Sequence, residues 1–164
     1  MRKFNNKGLS YIEMLVVVSI AAVMVGIFTI SIGVVTRNNV TKAANKLEGG
    51  LSKAQVLCMS KNTTKGCINI YYESGKYYYY YGTDIDNRVC FCQEPCTVEL
   101  RSIDNAVTTY VGSTPSTIAF KNTTGALDMT QPIVYNQIFI YNNGDDIAYL
   151  YIDKLTGKVI YQLV

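Results

Sequence analysis

The sequence predicts an α+β fold in which one long amino-terminal helix packs on an antiparallel, β-rich head, and three observations lead to it. From Leu9 to Val35 run twenty-seven residues in which Glu13 is the only side chain charged at neutral pH. At about 1.5 Å per helical residue that length spans a hydrocarbon core of roughly 30 Å. Beyond it, Val40, Ala43, Ala44, Leu47, Leu51, Ala54 and Cys58 recur at spacings of three and four, the signature of one apolar stripe on an amphipathic helix. After the turn-forming run Lys61 to Gly66 the pattern changes to short β-branched and aromatic segments divided by Gly, Asn and Asp, as strands and turns require. The expected divisions are a leader over residues 1–8, a transmembrane half of the helix over 9–35, an amphipathic half over 36–60, and a β-rich head over 61–164.

The eight residues ahead of the apolar run carry Arg2, Lys3 and Lys7 and end in Gly8, and such a basic end stays in the cytoplasm. An ordinary secretory signal is cut at small residues after an apolar core of about 7 to 15 residues, whereas here the small residue precedes a longer run. A carboxylate inside lipid is costly, so Glu13 needs a partner or a function. Together, Gly8 at the border of the apolar run and Glu13 five residues later resemble the prepilin leader of type IV pilins and type II secretion pseudopilins. The resemblance implies a pilin fold, cleavage between Gly8 and Leu9 by a dedicated membrane peptidase, methylation of the new amino terminus at Leu9, and filament assembly guided by Glu13. It departs at Leu9, where the family most often has phenylalanine. It further implies a single-pass membrane precursor with its head outside the cytoplasm, which later joins a pilus on the cell surface. The implied partners are other pilin subunits, the prepilin peptidase, the membrane before assembly and the pilus assembly machinery. In a water-free filament core, the Glu13 carboxylate would be stabilised by the ammonium that cleavage creates at Leu9 of a neighbouring subunit.

Three of the fifteen Lys and Arg side chains lie in the leader, so the remainder balances the twelve Asp and Glu. The rest of the chain thus lacks the basic excess that marks nucleic-acid binding, and no nucleic-acid partner is expected. The absence of histidine removes the commonest general base and metal ligand. With no nucleophile-elbow serine and no phosphate loop either, no enzyme activity, no cofactor and no metal are expected. All five cysteines, Cys58, Cys67, Cys90, Cys92 and Cys96, follow the apolar run and are candidates for disulfides, with an odd one left over. Short loops would be closed by Cys58 with Cys67, and by Cys96 with Cys90 or Cys92. The spacing of Cys90, Cys92 and Cys96 is not that of a zinc site.

In the head, Cys67 to Tyr72 and Tyr77 to Tyr81 predict a hairpin, with five consecutive tyrosines divided between its two faces. Thr83 to Cys96 reads as an irregular surface loop. Further strands are expected over 97–103, 106–111, 117–121, 133–141, 147–152 and 158–163, the last three as an antiparallel meander. The segments IAFKNTTG and IDKLTGKVI resemble the head of the GspH/FimT group of minor pilins and pseudopilins. The leading functional expectation is therefore a structural subunit, a minor pilin of a type IV pilus, with a type II secretion pseudopilin as the alternative. An alternative of another class is a DNA- or glycan-binding surface module built on the tyrosine hairpin, whose binding would require Tyr77, Tyr79 and Tyr81. Gly49-Gly50 interrupts the helix and reads either as a local loosening or as a hinge.

Overall fold

A computed structural model describes residues 10–60, 66–104, 106–142 and 146–163, the side chains of 27–37, 143–147 and 163 excepted. The chain divides into two compact units, Met1–Val35 and Thr36–Val164. The backbone is α-helical over α1 (Tyr11–Met59), which contributes to both.

In the first unit, α1 begins with a local exchange of hydrogen bonds. The Met14 amide donates to the Ser10 carbonyl at 3.1 Å, and the Ser10 amide donates to Glu13 Oε2 at 2.8 Å. Ser10 stands at the N-cap and Glu13 at N3, so the carboxylate satisfies an amide that the helix leaves orphaned, one arm of a capping box. It also lies where the helix dipole favours negative charge. Past this cap the described side chains, Ser19 apart, are apolar on every face and exposed, from Tyr11 at 83% to Leu15 at 52%.

This unit corrects the expected fold class. Among the described residues no helix is long and apolar enough to cross a membrane. At its described start the helix carries the capping Glu13 carboxylate, and Ser19 donates back to the Leu15 carbonyl at 2.7 Å. The transmembrane half is therefore set aside, and with it the single-pass membrane precursor and the pilin fold expected from the leader. Gly8 and Leu9 lie outside the described residues.

In the second unit the described strands, all antiparallel, build two sheets rather than a pilin-like head. The strands are β1 (Cys67–Glu73), β2 (Lys76–Tyr81), β3 (Val89–Gln93), β4 (Cys96–Ser102), β5 (Thr108–Tyr110), β6 (Ser116–Ala119), β7 (Tyr135–Asn142), β8 (Asp146–Ile152) and β9 (Val159–Leu163). One sheet has the order β3-β2-β1-β6 and the other β5-β4-β7-β8-β9. The β1–β2 hairpin turns at Ser74 and Gly75, both at positive φ. The segment expected to be an irregular loop contains a short 3-10 turn, Ile85–Asn87, and the edge strand β3. Strand alternation sends Ile68 and Ile70 of the first sheet, and Val98, Leu100, Ile138, Ile140, Ala148, Leu150 and Ile152 of the second, into one core. The stripe of α1 from Val40 to Cys58 enters the same core with every member at most 3% exposed.

Gly50 shows why this stripe contains a glycine. It is buried, and a Cβ there would stand 2.8 Å from the ring of Tyr79, whereas a Cβ on Gly49 meets nothing. The pair is thus neither a mere loosening nor evidence of a hinge: Gly50 is the socket for a ring. Gly50→Ala should lower stability by about 1–3 kcal/mol through overpacking, and Gly49→Ala should raise it by up to about 1 kcal/mol through helix propensity. Thermal unfolding of the two variants beside the parent chain checks this; equal shifts would mean that Tyr79 does not need the gap.

Candidate functional site

The residues singled out by sequence fall in separate places. Glu13 is at the exposed start of α1, bonded to Ser10. The five cysteines are all free thiols and form two groups.

Cys58, from the last turn of α1, and Cys67, opening β1, line an open cavity of about 530 Å³ together with Asp128 and Lys121. Cys58 donates to the Phe120 carbonyl at 2.9 Å. Burial pushes its thiol up, with Cys67 and Asp128 adding to the shift. A Cβ on Gly66 would collide with Cys58 Sγ at 2.7 Å, so glycine is needed where the chain re-enters beside this thiol.

Cys90, Cys92 and Cys96 gather around the passage from β3 to β4. They share a cavity of about 260 Å³ with Lys42 and Lys46 of α1, and Lys46 Nζ donates to the Cys90 carbonyl at 3.4 Å. The Cys92 thiol donates to the Gln93 carbonyl at 3.8 Å. Interaction with Cys96, reinforced by burial, holds Cys92 protonated well above the usual thiol range, and interaction with Cys92 holds Cys96 below that range. Among the described residues no group of three or more Cys, Asp or Glu is placed to hold a metal ion.

The tyrosine hairpin is divided between faces. Tyr77 and Tyr79 are 6% exposed and pack on Phe91, and Tyr81 lies against the core beside Tyr79. Replacing these three would therefore perturb packing. The outward set is Tyr71, Tyr78 and Tyr80, whose rings cluster within 5.8 Å. Arg88 covers them, stacking 5.0 Å from the Tyr78 ring and donating to the Tyr71 hydroxyl at 3.0 Å and to Glu73 at 2.6 Å.

Sequence reasoning passed over Gln55. Its side-chain amide donates to the Gly125 carbonyl at 2.9 Å and to the Thr156 carbonyl at 2.7 Å. Those carbonyls belong to two turns of one design, KNTTG at 121–125 and DKLTG at 153–157. In each, the glycine amide returns to the carbonyl four residues back, the glycine takes positive φ near +70°, and the threonine hydroxyl accepts the amide two residues on. A Cβ on Gly157 would overlap the Gly125 carbonyl, so the turns fit together only with glycine there. The shared x-T-G ending was the available signal. Asp153 caps its turn through the Leu155 and Thr156 amides, which hold its carboxyl below the usual range.

Neither a family model, nor a curated protein, nor a solved structure matches the chain.

Gln55→Ala should cost about 1–3 kcal/mol, because one truncation leaves two turn carbonyls without their donor. A lower urea midpoint at unchanged denaturant slope is the expected reading. An unmoved midpoint would mean that the turns dock through their backbone fit alone.

Proposed function

We propose that the protein is a structural subunit of a helical filament, released by cleavage between Gly8 and Leu9 and assembled through the amino-terminal part of α1. The observation that carries the reading is the exposure of Tyr11, Ile12, Met14, Leu15, Val16, Val17, Val18, Ile20, Val23, Met24 and Val25 on all sides of one helix. A helix apolar all round needs to be buried, and contiguous exposed apolar surface on this scale marks an interaction site. Neighbouring copies of the same helix supply such a surface without a bilayer. The likeness of Gly8, Leu9 and Glu13 to a prepilin leader supports the same reading, with a prepilin-type peptidase as the processing partner and other filament subunits as the assembly partners.

Glu13 has two roles to separate. Its carboxylate caps the first turn of α1, and in a filament it would also meet the ammonium of a neighbouring Leu9. Glutamine serves a capping box as well as glutamate does but carries no charge. In cells that co-produce the processing peptidase and the assembly components, intact mass should show a chain beginning at methylated Leu9 for the parent, Glu13→Gln and Glu13→Ala alike. Both variants should be depleted from the sedimentable filament fraction. Normal assembly of Glu13→Gln would reduce Glu13 to a helix cap, and a chain still beginning at Met1 would overturn the processing step.

A further inference from the structure

We propose that Cys92 and Cys96 form a reversible disulfide across the corner where the chain leaves one sheet for the other. Strand β3 ends at Gln93 in the four-stranded sheet and β4 begins at Cys96 in the five-stranded one, with only Glu94 and Pro95 between them. The two cysteines therefore flank the tightest connection between the sheets. Both face the core, 6% and 4% exposed, and both line the same cavity beside Lys42 and Lys46.

The nearby third cysteine is kept out of this pair by a β-bulge. In the β2–β3 register Tyr77 pairs with Cys92 and Tyr78 with Cys90, so Phe91 is the extra residue. Two positions apart, Cys90 and Cys92 would ordinarily share a face. The bulge instead matches Cys92 with inward Tyr77 and Cys90 with outward Tyr78, and Cys90 Sγ turns to the Cys92 carbonyl at 3.5 Å.

The open cavity lined by Lys42 and Lys46 exposes the pair at its wall, and cations beside a thiol favour the reactive thiolate. With glutathione disulfide as the oxidant, the Cys96 thiolate attacks one of its sulfurs and expels one glutathione thiolate. Cys92 then attacks Cys96 Sγ of the mixed disulfide and expels the second. One S–S bond is lost and one gained, two electrons pass to the glutathione, and the two thiol protons end on two glutathione molecules.

The test uses the full chain, purified in detergent and equilibrated in buffers of increasing oxidised-to-reduced glutathione ratio, then alkylated with N-ethylmaleimide. Trypsin places all three cysteines in one peptide, residues 89–101. Three alkyl groups are expected on it under reducing conditions and one under oxidising conditions, and fragmentation should find that one on the Val89-Cys90 end. Because this assignment is made on the native chain, it needs no variant to fold. Cys92→Ser and Cys96→Ser should each abolish the two-hydrogen mass loss and Cys90→Ser should keep it. Three alkyl groups at every ratio, or an alkyl group on Cys92 or Cys96 in the oxidised peptide, would overturn the pairing.

Discussion

The second unit depends on how closely the face of α1 from Val40 to Cys58 can approach the strands. Four of the positions on that face are Ala43, Ala44, Gly50 and Ala54, and the larger Leu47 and Leu51 stand between them, fully buried. Small residues let the helix backbone come near the strands, and each fully buried leucine then contributes about 1.5–3 kcal/mol of transfer free energy. Tyr79 shows the fit at its tightest, because its ring occupies the space a side chain on Gly50 would need. Gln55, just beyond this stripe, adds the polar counterpart: it fastens two matching turns, so the same helix that fills the core also fixes the loops at its rim.

Much of this was legible in the sequence because it follows from period alone. The stripe of α1 was read from spacings of three and four, and the meander β7 to β9 from alternation around the turns at 142–146 and 153–157. Ile138, Ile140, Ala148, Leu150 and Ile152 are buried as that alternation requires. What period could not show was partition into sheets. Strand β3 was hidden because its segment opens with Asp84, Asp86 and Asn87, around the 3-10 turn Ile85–Asn87, and because a bulge spoils its alternation. The membrane reading rested on counting formal charges, whereas among the described residues no helix is long and apolar enough to cross a membrane. The spacing Ser10-x-x-Glu13 was itself a capping-box signal, overlooked because a carboxylate in an apolar run invites an argument about lipid before one about helix ends.

The outer faces of both sheets follow one rule, in which aromatic rings cover a charged pair. In the five-stranded sheet Glu99 is only 3% exposed although it points away from the core. Arg101 bonds it at 2.5 Å, Tyr141 donates to it at 3.0 Å, and the guanidinium lies 4.2 Å from the Phe139 ring. The pair is charge-assisted, hydrogen-bonded and capped by a ring, and each of these partners is needed if a buried carboxylate is not to cost more than it returns. Arg88, Glu73 and Tyr71 repeat the arrangement on the other sheet in more open surroundings. The tyrosine excess is thus explained by packing on both faces before any ligand is invoked.

The start of α1 unites the local and the proposed assembled roles of Glu13. A carboxylate has two oxygens and about four acceptor sites, and the Ser10 amide takes one, on Oε2. One such bond does not exhaust those sites, so in the proposed filament a neighbour's ammonium would find acceptors on a carboxylate that the cap holds at the start of the helix. Capping and assembly therefore do not compete for the carboxylate. The first orients it in the single chain, and in the proposed filament that would lower the conformational cost of the second, because a side chain already held in one rotamer loses little further freedom when a partner arrives.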